Sequence, residues 1–340
     1  MDKDMSKDMG TDMGSGMGTD MGIGMGTDMG TGKKVLVFGS YVTDLCGRAD
    51  KFPVAGETVK GRSFKLGPGG KGSNQAVAAL RAGADVTFVT KLGDDPLGKQ
   101  ALEFYESERM DTSRIFIEEG GQTGAALIVV NERDACNQIV VISGACERIT
   151  EGEAAKVAGS LDRYGILLMQ LETNFEPVRK LLVEAKSKGL LTVLNPAPAQ
   201  RFGDEYFKYA DILTPNETEA QFFTGVEVAD AETARRAAEI LIGYGAKKVA
   251  VTMGKNGCYA CDGATGRHFG IVDCGEAVDS TGAGDAFSGG LVAALARGYG
   301  FFDAVAYGSC VAGLAVTRHG TAPAMPYRGE IDKVYKSAFV

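Results

Sequence analysis

A chain of 340 residues is long enough for one large domain, with or without a small appendage. Its net charge of −8, and the lack of any Lys/Arg cluster that would form a basic stripe, make nucleic acid an unexpected partner. No apolar run reaches the roughly 18–20 residues of a membrane span, and the N-terminus has no apolar secretory segment. We therefore expect a cytoplasmic protein that does not contact the membrane.

Residues 1–32 repeat a short pattern in which Met recurs at every fourth position, usually followed by Gly. Gly costs a helix about 1 kcal/mol per position relative to Ala, and aromatic residues are absent from this segment. We interpret 1–32 as a disordered, low-complexity tail. The folded domain is then 33–340.

From residue 33 onward, apolar runs alternate with stretches of helical pattern. The runs that predict buried strands are 33–40, 86–91, 165–171, 191–195, 211–214 and 248–253. The helical stretches are 72–82, 98–107, 175–188, 217–224, 231–243 and 288–296. This order predicts a three-layer α/β/α fold with a mostly parallel central sheet. Ligands of such sheets bind beyond the carboxyl ends of the strands, which is where the polar motifs of this chain fall.

Two segments interrupt the alternation of strands and helices. Residues 55–67 and 124–143 have strand-like patterns, and the turn residues at 131–137 predict a hairpin within the second. Together they predict a small separate sheet, joined to the main domain by a flexible Gly-Pro-Gly-Gly junction at 67–70. A small mobile sheet over the mouth of an α/β site forms a lid that excludes water.

Seven cysteines, an odd number scattered along the chain, favour reduced thiols over a disulfide framework. Cys258 and Cys261 form a single C-x-x-C pair. A zinc site needs about four ligands, and the chain has only two histidines and no second close cysteine pair. We interpret Cys258 and Cys261 as ordinary strand thiols.

The segment from Asp279 to Asp285 (DSTGAGD) precedes the small-residue helix predicted at 288–296. The start of a helix leaves amide groups unpaired, and Gly282, Ala283 and Gly284 allow close backbone approach, so this segment predicts an anion hole for phosphate. Asp285 stands where the hole meets the helix and could accept the proton of an attacking hydroxyl. The alternative is a simple turn in which Asp285 only caps the helix.

Two other nucleotide-binding patterns are missing from the chain. No G-x-x-x-x-G-K-[ST] motif occurs, so a P-loop is not expected. No G-x-G-x-x-G follows the first strand, which disfavours a nicotinamide dehydrogenase.

Several further motifs occur in one order along the chain. Two are long: 69–76 (GGKGSNQA) near the start and 278–290 near the end. The shorter ones are 170–172 (QLE), 195–198 (NPAP), 214–219 (TPNETE), 251–254 (VTMG) and 315–320 (AVTRHG). On these motifs the chain from Lys33 to about Ile331 resembles the ribokinase-like family of carbohydrate kinases. The resemblance implies transfer of the terminal phosphoryl group of ATP onto a sugar hydroxyl, with Asp285 as catalytic base.

The resemblance also implies a sugar site. Its residues would be Val42, Thr43, Asp44, Gly70, Lys71, Gly72, Ser73, Asn74, Glu172 and Asp285. Carboxylates and amides supply both the acceptors and the donors that sugar hydroxyls need. The protein could instead be a non-catalytic regulator that binds sugar or nucleotide on a kinase fold. The presence of Asp285 together with Gly282 and Gly284 disfavours this alternative.

For the nucleotide, the resemblance implies a site that holds ATP with Mg²⁺. Its residues would be Asn216, Thr252, Met253, Gly254, Lys255, Asn256, Gly257, Gly284, Asp285 and Ser309, with Asn216 and Glu219 placing the water around magnesium. A potassium ion is implied as activator. Its ligands would be Asp279, Thr281, Ala315, Arg318 and Gly320. The family usually has Ser four residues after that last glycine, whereas this chain has Ala324, so one hydroxyl ligand is missing.

The second departure from the family concerns the sugar. Family members that act on ribose carry Asn two residues before the sugar-binding Asp, and those that act on 2-deoxyribose carry Met. This chain carries Val42, which cannot hydrogen-bond a hydroxyl. We expect phosphorylation of D-ribose at its 5-hydroxyl, with 2-deoxyribose, or another sugar or nucleoside, as the alternatives. The resemblance further implies a homodimer formed through the lid sheet.

Overall fold

The computed structural model describes residues 32–133 and 136–340. The predicted tail at 1–32 lies outside these ranges, apart from its last residue. The strands are β1 (Val35–Phe38), β2 (Val42–Ala49), β3 (Ser63–Gly69), β4 (Val86–Val89), β5 (Lys91–Gly93), β6 (Phe116–Glu118), β7 (Thr123–Asn131), β8 (Asn137–Gly144), β9 (Ile166–Met169), β10 (Leu191–Leu194), β11 (Ile212–Leu213), β12 (Lys248–Thr252), β13 (Cys258–Cys261) and β14 (Gly266–Phe269). The helices are α1 (Lys71–Arg81), α2 (Pro96–Ser107), α3 (Glu151–Ala158), α4 (Phe175–Ser187), α5 (Glu217–Thr224), α6 (Ala231–Gly243), α7 (Ala283–Ala296), α8 (Phe301–Ala315) and α9 (Arg328–Phe339).

The main sheet has eight strands in the order β14-β13-β12-β11-β10-β9-β1-β4. The six strands from β12 to β4 are parallel, and β13 and β14 add an antiparallel edge. These six are the strands predicted from the apolar runs. Their carboxyl ends therefore meet at one edge of the sheet.

Side chains alternate across β1 and so build two separate cores. Val35 and Val37 pack in one core with buried residues of α1, α2, α7 and α8. Leu36 and Phe38 pack in the other with buried residues of α3, α4, α5 and α6. Helices thus cover both faces of a sheet whose strands are apolar on both sides, which confirms the predicted three-layer architecture.

The small sheet has four strands in the order β3-β2-β7-β8. It contains β2, which the sequence pattern did not indicate as part of this sheet. Residues 57–62 form no strand, and the predicted junction at 67–70 is mostly strand, because Gly69 pairs with Val42 as the last residue of β3. The small sheet is therefore continuous with the segment that leads into α1.

Some boundaries also differ from expectation. The predicted strand at 86–91 divides at Thr90 into β4 of the main sheet and β5, which pairs with β6. Helix α7 begins at Ala283, not at 288, so Asp285 lies in its first turn. Helix α8 was not predicted because it is packed on several sides and lacks a regular polar stripe.

Cys258 and Cys261 are both in β13, as expected for strand thiols, and both are free. Their side chains lie in different cores on opposite faces of the sheet, so the pair cannot converge on one ligand. Within the described ranges, no helix is long and apolar enough to cross a bilayer.

Candidate active site

The floor of the site is a close approach of α1 to the carboxyl end of β1. A Cβ on Gly72 would lie 2.5 Å from the Ser40 nitrogen, so only glycine allows this contact. The Ser73 amide donates to the Ser40 carbonyl at 2.9 Å. Gly70, at φ 87°, precedes the helix and turns the chain from the small sheet into α1.

Glu172 follows β9 and joins the two segments. Its Oε2 accepts from Ser40 Oγ at 2.5 Å and from the Lys71 amide at 2.8 Å. A carboxylate at the first amide of α1 is favoured by the helix dipole. Three residues distant in sequence are thereby fixed together at the carboxyl edge of the sheet.

Asp44 lies on β2 and so belongs to the small sheet. Its Oδ2 accepts a hydrogen bond from Thr321 Oγ1 at 3.2 Å, and the same hydroxyl contacts the Pro68 carbonyl at 3.0 Å. Burial raises the pKa of Asp44 to about 6. The negative charges of Glu172 and Asp285 add to this rise, while the Thr321 bond opposes it.

Asp285 is a buried carboxylate with two amide donors. Asn74 Nδ2 donates to its Oδ2 and Gln75 Nε2 to its Oδ1, each at 2.9 Å. Only 6% of Asp285 is exposed, and it stands in the first turn of α7. Two donors and a helix N-terminus are the environment that a buried carboxylate requires.

The start of α7 also presents free amides. Gly282 precedes the helix at φ 79°, a conformation that favours glycine. The Ala283 amide donates to the Ser280 carbonyl at 3.2 Å, whereas the amides of Gly284 and Asp285 have no acceptor among the described residues. This first turn can therefore bind an anion beside Asp285.

Lys71 supplies a positive charge at the same place. Burial acts to lower the pKa of its ammonium group, but three neighbouring carboxylates outweigh burial and raise that pKa. They belong to Asp285, Glu172 and Glu219. Lys71 therefore remains a cation beside the anion-binding turn.

Asn216 and Glu219 form a reciprocal cap at the start of α5. Glu219 Oε2 accepts from the Asn216 amide at 2.9 Å, and Asn216 Oδ1 accepts from the Glu219 amide at 2.8 Å. Burial raises the pKa of Glu219, and the Asn216 bond and the Lys71 charge oppose that rise. Because its carboxylate already accepts hydrogen bonds from Asn216, Glu219 fits contact with magnesium through water better than direct ligation.

The predicted nucleotide residues at 252–257 comprise the last residue of β12 and the loop that joins it to β13. Thr252 forms an isolated parallel β-bridge with Asn216, and the Thr252 amide donates to the Pro215 carbonyl at 2.9 Å. Met253 is buried, whereas Lys255 and Asn256 are exposed. Ser309 lies separately, on α8, where its hydroxyl donates to the Val305 carbonyl at 3.0 Å.

The predicted potassium ligands come from the loop before α7 and from the end of α8 with the loop that follows it. Asp279 connects them by accepting from the Thr281 amide at 3.0 Å and the Gly320 amide at 3.1 Å. Burial acts to raise the pKa of Asp279, but these hydrogen bonds outweigh it and the pKa is lowered. The Ala315 carbonyl already accepts from the Arg318 amide at 3.1 Å, and oxygen ligands of this kind are those that hard cations prefer.

Two predicted sugar-site residues have side chains engaged elsewhere. Thr43 is fully buried and its hydroxyl pairs with Tyr41 at 3.1 Å. Ser73 Oγ accepts from Tyr105 at 2.7 Å, also in the core. Val42 is buried where β2 pairs with both β3 and β7.

Three residues at the site were given no role from the sequence. Ser40, Gln75 and Thr321 each donate a hydrogen bond to one of the site's carboxylates. Gln75 could have been singled out because it lies inside the motif at 69–76. Thr321 lies just beyond the last glycine of the motif at 315–320 and carried no pattern of its own.

A model of the pfkB family carbohydrate kinases matches residues 32–328. The chain belongs to this family. Among curated pfkB relatives, it is 38% identical over 300 residues to a ribokinase of Haemophilus influenzae, covering 88% of this chain and 97% of that protein. It is 36% identical over 303 residues to a ribokinase of Bacillus subtilis, covering 89% and 99%. A deoxyribokinase of Salmonella typhimurium is 35% identical over 256 residues, covering 75% and 83%.

Solved structures of pfkB kinases have the same fold. The ribokinase of Arabidopsis thaliana, complexed with ribose and ATP, matches with a TM-score of 0.82 and 26% identity, covering 89% of this chain and 99% of that one. The ribokinase of Thermotoga maritima matches with a TM-score of 0.79 and 31% identity, with the same coverage. The central sheet, its helices and the small sheet are thus those of a sugar kinase.

Proposed function

We propose that this kinase phosphorylates D-ribose at its 5-hydroxyl, with ATP as donor, to give D-ribose 5-phosphate and ADP. The observation that carries the proposal is the hydrogen bond between Asn74, in the motif implied to bind sugar, and Asp285, at the anion-binding start of α7. This hydrogen bond brings the segment implied to bind the sugar next to the anion-binding segment, and both meet at the Asp285 carboxylate. The ribokinases of Haemophilus influenzae and Bacillus subtilis support ribose as the substrate.

In the proposed reaction, Asp285 takes the proton of the 5-hydroxyl as the sugar oxygen forms a bond to the γ-phosphorus. The bond from that phosphorus to the ADP oxygen breaks. The free amides at the start of α7 and the ammonium group of Lys71 stabilise the negative charge on the transferred phosphoryl group. Asp44 and Glu172 hold the sugar, and the small sheet excludes water from the transfer.

We propose that two cations bind at this site. Asn216 and Glu219 would hold the water around Mg²⁺, and Asp279 with the carbonyls of its loops would hold K⁺. When bound, these ions neutralise phosphate charge. Ala324 is buried and has no hydroxyl, so K⁺ would bind through the remaining oxygens.

A second candidate substrate is 2-deoxyribose, and Val42 favours it. The Val42 side chain is apolar and 7% exposed, so it offers no partner to a sugar hydroxyl. A hydroxyl left unpaired in a buried site costs about 1–3 kcal/mol. The deoxyribokinase of Salmonella typhimurium is a relative of nearly the same identity as the ribokinases.

Replacing Val42 with Asn is expected to raise kcat/KM for ribose relative to 2-deoxyribose by about 5- to 150-fold, the ratio that about 1–3 kcal/mol corresponds to. The measurement is ADP release with each sugar, for both proteins. Val42→Leu, which changes the shape of the side chain without adding a donor or acceptor, is the matched control for shape. An unchanged ratio in Val42→Asn would show that Val42 only packs between strands.

The same assay tests the reaction class. A panel of pentoses, hexoses and nucleosides identifies the substrate by which hydroxyls are required. If no compound in the panel causes ADP release, the non-catalytic regulator is favoured over the kinase.

We also propose that two copies associate through the small sheet. Leu45 pairs with Leu66 on one side and Leu127 on the other, and Leu127 pairs with Val140, so the four share one face. Asp44 is the neighbour of Leu45 on β2, so its side chain lies on the opposite face of the small sheet, the face of the proposed sugar site. Leu66, Leu127 and Val140 are exposed, Val140 by 60%, on the face directed away from Asp44. An apolar row across a small sheet suits a second copy of the same row.

Replacing Val140 with Lys is expected to convert a dimer into a monomer, because two buried ammonium groups would face each other across the interface. Light scattering after size exclusion measures the mass of each species. Val183→Lys, on the exposed side of α4, is the matched control and should leave the mass unchanged. A wild-type monomer, or a dimeric Val140→Lys protein, would contradict the proposed interface.

A further inference from the structure

Gln75 lies behind Asp285 in a buried polar network. Its Nε2 donates to Asp285 Oδ1 at 2.9 Å and to Asn195 Oδ1 at 3.0 Å. Its Oε1 accepts from Gln170 Nε2 at 2.6 Å. Gln75 and Gln170 are both fully buried, so solvent does not replace these partners.

These contacts define the orientation of the Gln75 amide. Rotating it by half a turn would place Oε1 against the oxygens of Asp285 and Asn195. The same rotation would set Nε2 against the donor group of Gln170. The oxygens of Asp285 and Asn195 accept hydrogen bonds, and the Asn195 amide nitrogen already donates to the Thr214 carbonyl, so these two partners favour one orientation of the Gln75 amide.

The network also makes the two oxygens of Asp285 different. Oδ1 faces Gln75, in the interior. Oδ2 faces Asn74, whose own Oδ1 accepts no hydrogen bond from any described residue. Asn74 belongs to the segment at the start of α1 that holds the proposed sugar, so Oδ2 is the oxygen on the substrate side.

We propose that Gln75 is a positioning residue for the catalytic carboxylate: it anchors Oδ1 and leaves Oδ2 to take the proton of the sugar hydroxyl. In that step the hydroxyl O–H bond breaks, its proton moves to Oδ2, and the sugar oxygen bonds to phosphorus as ADP leaves. This inference rests on the proposed function of Asp285. It adds a residue that acts through Asp285 without touching the sugar or ATP.

The test is Gln75→Met, which keeps the length of the side chain and removes the donor. A misplacement of about 1 Å at a reacting group costs about 10²-fold in rate, so kcat should fall about 10- to 100-fold. The KM values for ribose and ATP should change less than about 3-fold, because the binding residues are untouched. Gln75→Glu, of the same shape, should lose at least as much kcat, since it sets an oxygen against Asp285.

A double-mutant cycle separates positioning from general damage to the fold. In an Asp285→Asn background, Gln75→Met should cause no further loss of residual turnover, whereas independent defects would multiply. Ser288→Ala, one turn along α7, removes another buried hydrogen bond, the contact to Thr214 at 3.0 Å, and should leave kcat within about 2-fold.

The outcomes distinguish this inference from the proposed function. Normal kcat in both Gln75 variants, with Asp285→Asn inactive, would overturn the role of Gln75 and keep that of Asp285. Multiplying losses in the cycle would overturn it as well. An active Asp285→Asn enzyme would remove both proposals together.

Discussion

Replacing Asp285 with Asn is expected to lower kcat about 10²- to 10⁴-fold, the usual worth of a general base. Asn keeps the size of the side chain but cannot accept the proton of the sugar hydroxyl. KM for ATP and for ribose should change only a few-fold, because the anion-binding turn and the sugar contacts remain. Steady-state ADP release, with circular dichroism to show an intact fold, measures the effect.

Asp273→Asn is the matched control for Asp285→Asn. Asp273 is an exposed carboxylate in the loop before α7, where its Oδ1 accepts from the Gly275 amide. Its replacement should leave kcat within about 2-fold. Turnover of Asp285→Asn within about tenfold of wild type would mean that Asp285 only caps α7, the alternative that the sequence left open.

Sugar capture is expected to weaken as the pH falls through about 6, the pKa to which burial raises Asp44. Above that pH, Asp44 is a carboxylate that accepts hydrogen bonds from sugar hydroxyls; below it, the protonated acid accepts them poorly. If only the ionised form of Asp44 binds ribose, kcat/KM for ribose should fall about tenfold for each pH unit below the pKa of Asp44. The pH profile of kcat/KM, recorded with saturating ATP, measures this dependence.

Asp44→Asn is expected to lower kcat/KM for ribose about 10- to 150-fold at pH 7.5, since hydrogen bonds to charged groups contribute about 1.5–3 kcal/mol. The decrease attributed to Asp44 near pH 6 should disappear in this variant. Asp50→Asn, on a partly exposed carboxylate just beyond β2 that pairs with Arg62 and not with any site residue, is the matched control. An Asp44→Asn enzyme that keeps both its efficiency and the wild-type pH profile would rule out Asp44 as a sugar ligand.

The layered architecture could be predicted from the sequence because it depends on local patterns. The run at 35–38 (VLVF), within the predicted strand 33–40, is apolar at successive positions, as expected of a strand covered on both faces. The helices between such runs have apolar stripes of ordinary spacing. Helix α8 was missed for the same reason, since a helix packed on several sides lacks the stripe.

The small sheet was predicted only in part. Its strands β7 and β8 flank the turn residues that the sequence shows clearly. Strand β2 was not predicted, because the segment that follows β1 has the sequence pattern of a ligand-binding loop. Pairing with β3 and β7 makes it a strand, and this pairing depends on residues far along the chain.

By itself the sequence determined the family, the order of the six parallel strands and of the helices α1, α2 and α4 to α7, and the segments that meet at the carboxyl edge of the sheet. Those properties follow from local patterns and motifs. Only the tertiary structure decided which atoms contact each other there. Gln75 and Asp285 are 210 positions apart, and Asp44 and Thr321 are 277 apart. Such contacts are set by how α1, α7 and the small sheet pack on one edge, and no local spacing encodes that packing.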